Sequence, residues 1–271
     1  MGYTGPLASD LVIPQTAMIS GGERPVTAID KSIFQNKKLT SVVLPDTVSS
    51  IGIYAFSGNS LTSVKFPKGL KFVGANAFAN NLITELELNQ GLETIDTAAF
   101  SDNRIASLNF PDSVSTIGTQ AFLRNNLTSV KLPSSSMSMI LNSSFGSNSL
   151  TSVVIPENIT AIADGAFTSN RLTSVKLPSR LNSIERNAFS GNPLEEIRIP
   201  ASVTFIGPTA FHNGTTLKRI YMEGNAPATV TAGSSSSPGS FGPTATTKKV
   251  YYRASATGYS NPWKGYAAEQ Y

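Results

Sequence analysis

Hydrophobic residues recur along the chain in one fixed order with a period of 22 residues. The recurring phrase is Leu-Thr-Ser-Val-Lys-Leu-Pro, seen unchanged at Leu127–Pro133 and Leu172–Pro178. A phenylalanine follows about eleven residues after the proline in the regular repeats. These residues are Phe34, Phe56, Phe78, Phe100, Phe122, Phe145, Phe167, Phe189 and Phe211, spaced by 22 residues except for one interval of 23. Such a period predicts a solenoid in which each repeat forms one coil.

The segment Leu61–Pro67 shows how the first half of each repeat should fold. Its alternation of apolar and polar residues predicts a half-buried strand, with Val64 and Phe66 inward and Ser63 and Lys65 outward. Proline has no N–H group to donate, so Pro67 should end the strand at a corner. Successive copies of this strand should pair in parallel along the solenoid.

The second half of each repeat has a different spacing. Leu70, Val73 and Ala77 lie three or four residues apart, and Phe78 follows directly. This roughly helical spacing predicts a short helical or 3-10 turn on the opposite side of the coil. The predicted fold class is therefore an α/β solenoid, with a parallel β-sheet on one face and helical or 3-10 turns on the other.

An asparagine occupies the turn that leads back to the next strand. A buried turn leaves backbone groups without partners, and an amide side chain can both donate to and accept from them. We expect this role for Asn59, Asn81, Asn103, Asn125, Asn148, Asn170 and Asn192.

The two ends depart from the repeat, as terminal repeats of solenoids commonly do. Residues 1–38 are predicted to be an irregular capping repeat, in which Leu11–Pro14 ends a strand and an insertion follows. Residues 39–222 are the regular repeats. Residues 223–271 are predicted to be a C-terminal cap with a flexible Ser/Gly-rich loop. All three parts are expected to form one continuous solenoid domain.

Within the C-terminal cap, several residues suggest how the core is closed. Phe241 is predicted to be a last, degenerate member of the phenylalanine series, and Lys249–Tyr252 a final strand. Trp263 and Tyr266 are expected to cover the end of the core.

Composition excludes several classes of protein. The chain is 40% hydrophobic and 14% charged, which suits a packed interior rather than a disordered chain. Its net charge of +4 comes from scattered residues of both signs, unlike the dense basic stripe of a nucleic-acid-binding protein. No cysteine is present, so disulfides and thiolate chemistry are absent. No signal peptide or membrane-spanning stretch is evident, so we interpret the chain as a mature or excised fragment that does not insert into a membrane.

The repeat resembles the BspA-like leucine-rich repeats of bacterial and protozoan surface proteins. The signature Leu-Thr-Ser-Val-x-Leu-Pro-x-x-Val-x-x-Ile-Gly-x-x-Ala-Phe-x-x-Asn is nearly complete in Leu39–Asn59 and in Ile105–Asn125. The resemblance implies a right-handed, curved superhelix with parallel strands on its concave face. It also implies an exported protein of the cell surface that mediates adhesion or host contact, and it carries over no catalytic residue.

Candidate catalytic chemistry is sparse. His212 is the one histidine, and a solvated residue is the favoured interpretation over a catalytic or metal-binding one. Without cysteine or further histidine, a zinc or copper site is not expected, and no Asp-rich calcium loop is present. Glu85 and Glu87 share a strand face like paired acid–base carboxylates, but ordinary surface variation is favoured. We therefore predict no cofactor and no enzymatic activity.

One outward strand position varies from repeat to repeat, whereas its neighbour two residues earlier is mainly serine. We name this variable series the outward column: Val43, Lys65, Glu87, Asn109, Lys131, Val154, Lys176, Arg198 and Tyr221. Either the column recognises a ligand, or its residues are only solvated, with Lys65 and Glu87 paired across strands. The first alternative predicts a surface protein that binds a host or extracellular protein or glycan. The second predicts a spacer that displays other domains.

Overall fold

The computed structural model describes residues 9–19, 21–134, 137–212, 216–232, 239–242 and 248–271. Most of the predicted Ser/Gly-rich loop lies outside these ranges, as do residues 135–136, which belong to the one 23-residue interval of the phenylalanine series. The strands of what we call the first row carry the outward column: β1 (Asp10–Val12), β5 (Ser41–Val43), β7 (Ser63–Lys65), β9 (Glu85–Glu87), β11 (Ser107–Asn109), β13 (Ser129–Lys131), β15 (Ser152–Val154), β17 (Ser174–Lys176), β19 (Glu196–Ile199), β21 (Arg219–Met222), β23 (Lys249–Tyr252) and β24 (Ala267–Gln270).

A second row of two-residue strands follows the corner of each coil. It consists of β4 (Ala28–Ile29), β6 (Ser50–Ile51), β8 (Phe72–Val73), β10 (Thr94–Ile95), β12 (Thr116–Ile117), β14 (Met139–Ile140), β16 (Ala161–Ile162), β18 (Ser183–Ile184), β20 (Phe205–Ile206) and β22 (Thr229–Val230). An N-terminal hairpin of β2 (Thr16–Ile19) and β3 (Gly22–Pro25) fills the insertion predicted after Leu11–Pro14.

The predicted helical or 3-10 turns are wrong, and with them the α/β class. The described residues contain no helix, and the fold is a parallel β-solenoid of stacked coils. Around Phe56, backbone N–H groups alternate between two kinds of acceptor. Ala55 donates within its own turn to the carbonyl of Gly52 (3.2 Å), whereas Tyr54 and Phe56 donate to carbonyls of the next coil (3.0 and 2.7 Å). A helix would bind all these groups internally, so stacking replaces helical hydrogen bonds.

Backbone conformation explains why the apolar spacing was misleading. Tyr54 and Gly58, two residues before and after Phe56, have φ values of 57° and 69°. Asn76 and Asn80 flank Phe78 in the same way, at 55° and 56°. L-residues form right-handed helices at negative φ, and left-handed residues occur singly in turns. The three- and four-residue spacing therefore describes consecutive tight turns, which happen to bring the same residues to one face.

The chain forms two compact units, of which the first is Met1–Leu127. In its first row, β1 pairs with β5 and β7 pairs with β9, both in parallel. Its second row is a five-stranded parallel sheet in the order β12-β10-β8-β6-β4. The predicted parallel pairing of successive coils is therefore confirmed in this unit.

The second unit is Thr128–Tyr271. In its first row, β15 pairs with β17, and a separate four-stranded parallel sheet has the order β19-β21-β23-β24. Its second row has the order β14-β16-β18-β20-β22. Lys249–Tyr252 is a strand as predicted, but it is not the final one, because β24 pairs with it on the far side.

Stacked phenylalanines fill the core of both units. In the first unit, adjacent rings from Phe34 to Phe122 lie 5.2 to 5.5 Å apart and nearly parallel. In the second unit, the spacing from Phe145 to Phe211 is 5.4 to 5.6 Å. Offset-stacked rings at this distance add to the free energy gained by burying their apolar surface.

The asparagine turns are also confirmed. Asn81 is buried, and its Oδ1 accepts the N–H of Leu61 at 3.1 Å. Its Nδ2 donates to the carbonyl oxygens of Phe78 in the same coil (3.1 Å) and of Phe56 in the preceding coil (3.0 Å). One amide thus satisfies backbone groups of two coils, and Asn170 repeats the arrangement in the second unit.

The C-terminal end is closed as predicted. Phe241 stacks on Phe211 with 5.7 Å between ring centroids. Tyr266 lies edge-on to Phe241 and donates its hydroxyl to the carbonyl of Gly242 at 2.6 Å. Both aromatic rings are buried, and Trp263 is buried beside them. Burial raises the pKa of Tyr266 to about 12.

Candidate interaction surface

In the first unit, the outward column begins with apolar residues and ends with polar ones. The predicted members Val43, Lys65, Glu87 and Asn109 are all exposed. The column also contains Val12, which sequence reasoning did not include and which pairs in register with Val43. Their exposed fractions are 68% for Val12 and 56% for Val43, so two bare apolar side chains lie side by side.

In the first unit, the two charged members of the outward column neutralise each other. Lys65 Nζ lies 3.1 Å from a carboxylate oxygen of Glu87, across the register of β7 and β9. The two side chains are 80% and 68% exposed, and ion pairs this exposed contribute little to stability. For these two residues, the predicted cross-strand pair is confirmed. Glu85 is exposed on the same strand, beside Ser63 in the register.

In the second unit, the column is richer in cations and aromatic rings. Lys131, Val154, Lys176 and Arg198 are exposed, and Tyr221 is half-buried. Val154 lies opposite Lys176 in the register of β15 and β17, and its exposed fraction is 73%. Among the described residues, no carboxylate lies within ion-pair distance of Lys176.

An aromatic and arginine cluster completes the column in this unit. The guanidinium of Arg198 lies 4.1 Å from the centroid of the Tyr221 ring. Tyr251 stacks on Tyr221 at 5.1 Å, and Tyr271 meets Tyr221 edge-on at 5.5 Å. We name Arg198, Tyr221, Tyr251 and Tyr271 the tyrosine cluster. Sequence reasoning missed Tyr251 and Tyr271, because β23 lies 30 residues after β21 and the 22-residue period no longer applies.

Glu223 holds this cluster in place. Its carboxylate accepts hydrogen bonds from Arg198 (3.1 Å) and from Arg253 (2.9 Å to Nε). Burial raises the pKa of Glu223, but hydrogen bonds from Arg253, Arg198 and Tyr271 outweigh that effect and lower it. The carboxylate therefore stays ionised, and it fixes the arginine that covers Tyr221.

A groove of about 570 Å³ lies beside the cluster, between β17 and β19. Because these two strands belong to different hydrogen-bonded sheets, the first row opens between them. Val175, Leu177 and Ile197 form an apolar floor, and Lys176 and Arg198 line its sides. We call this feature the β17–β19 groove.

The catalytic candidates do not come together. His212 is half-buried at the C-terminal end of the core, so it is not the solvated residue that the sequence favoured. Its Nδ1 lies near Gly242 and has no hydrogen-bond partner among the described residues. The same residues hold no group of three or more His, Asp or Glu side chains arranged for a metal ion. They also include no helix of the length and apolarity that a membrane span requires.

Comparison with known families gives one clear match. Residues 27–145 and 138–235 match the family model described as BspA type leucine rich repeat region, in six copies. No functionally curated protein matches the chain significantly.

Several solved structures share the fold. A leucine-rich repeat protein from Bacteroides ovatus is 28% identical over 93% of this chain, with a TM-score of 0.76. The chain spans 65% of the length of that protein. The pneumococcal vaccine antigen PcpA is 18% identical (TM-score 0.55), with 93% of this chain and 86% of that chain covered. A leucine-rich repeat protein from Eubacterium ventriosum is 20% identical (TM-score 0.53), with 91% and 73% covered.

Proposed function

Because the chain belongs to the family of BspA-type leucine-rich repeat proteins, we propose that it is a non-enzymatic scaffold that binds other proteins at the bacterial cell surface or outside the cell. The binding surface that we assign is the part of the outward column of the second unit that runs from Lys176 on β17 to Tyr221 on β21. The observation that carries this proposal is the tyrosine cluster, in which Arg198, Tyr221 and Tyr251 are stacked across three registered strands.

The composition of the cluster supports a protein partner. Tyrosine and arginine are enriched in the few interface residues that dominate protein–protein binding. Glu223 fixes Arg198 before any partner arrives, so less side-chain freedom is lost on association. The core residues of the coils repeat, whereas the outward column varies among apolar, charged, amide and aromatic side chains, so different strands can present different chemistry.

Location outside the cell is part of the proposal. The family resemblance implies export, and the absence of cysteine suits an oxidising environment, where a free thiol would be vulnerable. Adhesion to host or matrix proteins is the use that we propose for such a surface.

A binding screen tests this function. The 271-residue chain would be presented to extracellular-matrix proteins, serum proteins and glycans, together with the variant Arg198→Ala/Tyr221→Ala. We expect a protein ligand, and about tenfold or greater loss of affinity in the variant, because hot-spot truncations reach this size. Met139→Ala is the control, since Met139 is 44% exposed in the second row of the same unit. Equal binding by both variants and the unmodified chain would contradict the assignment of the surface.

A spacer that displays other domains is the second candidate. The exposed ion pairs Lys65–Glu87 (3.1 Å) and Lys71–Glu93 (3.0 Å) of the first unit favour it, because paired charges leave little to offer a ligand. Failure to bind any member of the panel would support the spacer.

A further inference from the structure

The β17–β19 groove carries an inference that rests on the proposed function and narrows it. We propose that the groove binds an extended segment of a partner protein in which acidic and apolar side chains alternate. The apolar side chains contact the floor of Val175, Leu177 and Ile197. A carboxylate of the segment lies beside Lys176, and the tyrosine cluster contacts the flanking surface of the partner.

The floor is apolar because the first row opens at this point. Leu177 and Ile197 are core residues, with exposed fractions of 7% and 2%. Val175 is half-buried, whereas its register partner Val153 in β15 is buried. The gap beside β17 thus exposes part of a side chain that belongs to the core pattern. Covering the exposed part of Val175 with an apolar side chain removes it from water, which favours association.

Charges around the groove favour an acidic occupant. Three carboxylates line it, those of Glu157, Glu196 and Glu223. Glu223 is bound by Arg198 and Arg253, and Glu196 is bound by Arg219 at 3.1 Å. Lys176 and Arg198 are the two cations of the lining, and Arg198 is already paired with Glu223. Lys176 is therefore the lining cation without an ion-pair partner among the described residues, and it can pair with a carboxylate of the occupant.

Glu157 is the lining carboxylate whose pKa is affected by the charge of Lys176, and it is already hydrogen-bonded to Ser179. One of its oxygens accepts the backbone N–H and the hydroxyl of Ser179, both at 2.9 Å. These hydrogen bonds, and more weakly the charge of Lys176, lower the pKa of Glu157. Because Glu157 forms no ion pair within 4.0 Å of Lys176, the ammonium group is open to a ligand carboxylate.

The tyrosine cluster favours a polypeptide over a sugar or a nucleobase. Those ligands stack on a free ring face. Because β21 lies between β19 and β23, Arg198 and Tyr251 cover opposite faces of Tyr221. Tyr271 lies edge-on to the same ring and is itself 49% exposed, so the cluster offers a partner a phenol group with an apolar ring and a polar hydroxyl, which suits the mixed surface of a protein.

Synthetic peptides test the occupant directly. The fluorescently labelled probes are acetyl-Gly-Asp-Leu-Asp-Leu-Asp-Gly-amide and versions with serine or lysine in place of aspartate. They are titrated against the 271-residue chain by fluorescence polarisation up to about 1 mM, which still detects weak complexes. We expect the acidic peptide to bind most tightly, with an affinity that falls as salt is added.

Charge reversal sharpens the test. We expect Lys176→Glu to weaken the acidic peptide about tenfold and to strengthen the lysine peptide, since an attraction becomes a repulsion. Lys131→Glu is the matched control, because Lys131 has the same strand position in β13 but does not line the groove. It should leave the order of the three peptides unchanged.

Each other outcome counts against the proposal. Equal affinity for all three peptides, tightest binding of the lysine peptide, absence of binding, or equal effects of Lys176→Glu and Lys131→Glu would each overturn it. The proposed function is judged separately, by whether Arg198→Ala/Tyr221→Ala loses a protein ligand from the panel. If that variant loses a protein ligand but the chain shows no preference among the peptides, the proposed function is retained and the groove is rejected as a peptide-binding site.

Discussion

Lys65 and Lys176 end the same five-residue phrase, Leu-Thr-Ser-Val-Lys, and occupy the same position on β7 and β17. Lys65 faces Glu87 across its register and forms an ion pair of 3.1 Å. Lys176 faces Val154 and has no such partner among the described residues. Identical local sequence therefore places two lysines identically, and only the adjacent strand decides whether the charge is available.

The grooves next to these two lysines differ in the same sense. In each unit, the first row opens between strands that belong to separate sheets. Lys65, which is already paired with Glu87, lines three grooves of about 220, 430 and 480 Å³. The β17–β19 groove holds about 570 Å³ and is lined by Lys176, which has no ion-pair partner in the part of the chain that the structure describes. The two surroundings therefore differ mainly in the available charge of Lys176 and in the tyrosine cluster, which the second unit alone carries among the described residues.

The core should show no such difference between the units. Phe100 and Phe167 are fully buried, and each stacks on two neighbouring rings. We expect Phe100→Ala and Phe167→Ala each to lower the free energy of unfolding by about 3–5 kcal/mol, because each leaves a cavity in the stack. Denaturant titration measures this. A loss below about 1 kcal/mol at one site only would mean that the two cores are not equivalent.

The charge of Glu223 should make the free energy of unfolding depend on pH. The folded-state pKa of Glu223 is lowered, so its contribution is present above its ordinary value of 4.5 and is lost as pH falls through the folded value. We expect Glu223→Gln to cost about 1 kcal/mol at pH 7, with the difference from the unmodified chain shrinking below pH 4.5.

Glu87→Gln is the control for this comparison, and it should cost less than about 0.5 kcal/mol, since its pair is mostly exposed. Thermal unfolding curves recorded across the pH range provide both values. A penalty for Glu223→Gln that does not change with pH would argue against a role for its charge.

Val154→Glu should make the outward column of the second unit resemble that of the first unit. It places a carboxylate opposite Lys176 in the register, as Glu87 lies opposite Lys65. We expect stability to change by less than about 1 kcal/mol, as for other exposed pairs. Affinity for the acidic peptide should fall about fivefold, which polarisation titration measures. Val154→Thr, similar in shape but uncharged, should retain the affinity. A loss of equal size in both variants would show that the valine surface, and not the charge, was needed.

Much of the fold was predictable because stacking forces every coil to bury the same shape. The strand alternation, the parallel pairing, the phenylalanine stack and the role of Asn81 and its equivalents all followed from residues that repeat. The helical turns did not follow. Two left-handed residues around each phenylalanine produce the same apolar spacing as a helix, and positive φ at Tyr54 or Ala98 has no signature in residue type.

The candidate surface was predictable only in position. The outward column, from Val43 to Tyr221, is a direct consequence of strand alternation, and its members are exposed or half-buried as expected. Tyr251 and Tyr271 could not be assigned to it, because the chain leaves the period after β21 and returns to the same sheet 30 residues later. Their place is set by strand pairing that no local pattern encodes.

The sequence by itself determined the coil, since its hydrophobic residues recur at one period and can be buried only by stacking on copies of themselves. Tertiary structure decided what each surface residue can do. Whether Lys176 is paired, whether a groove opens beside it, and which residues cover Tyr221 all depend on residues 22 or more positions away. Electrostatic and packing interactions act through space over a few ångströms, so neighbouring coils determine the function that the period alone leaves open.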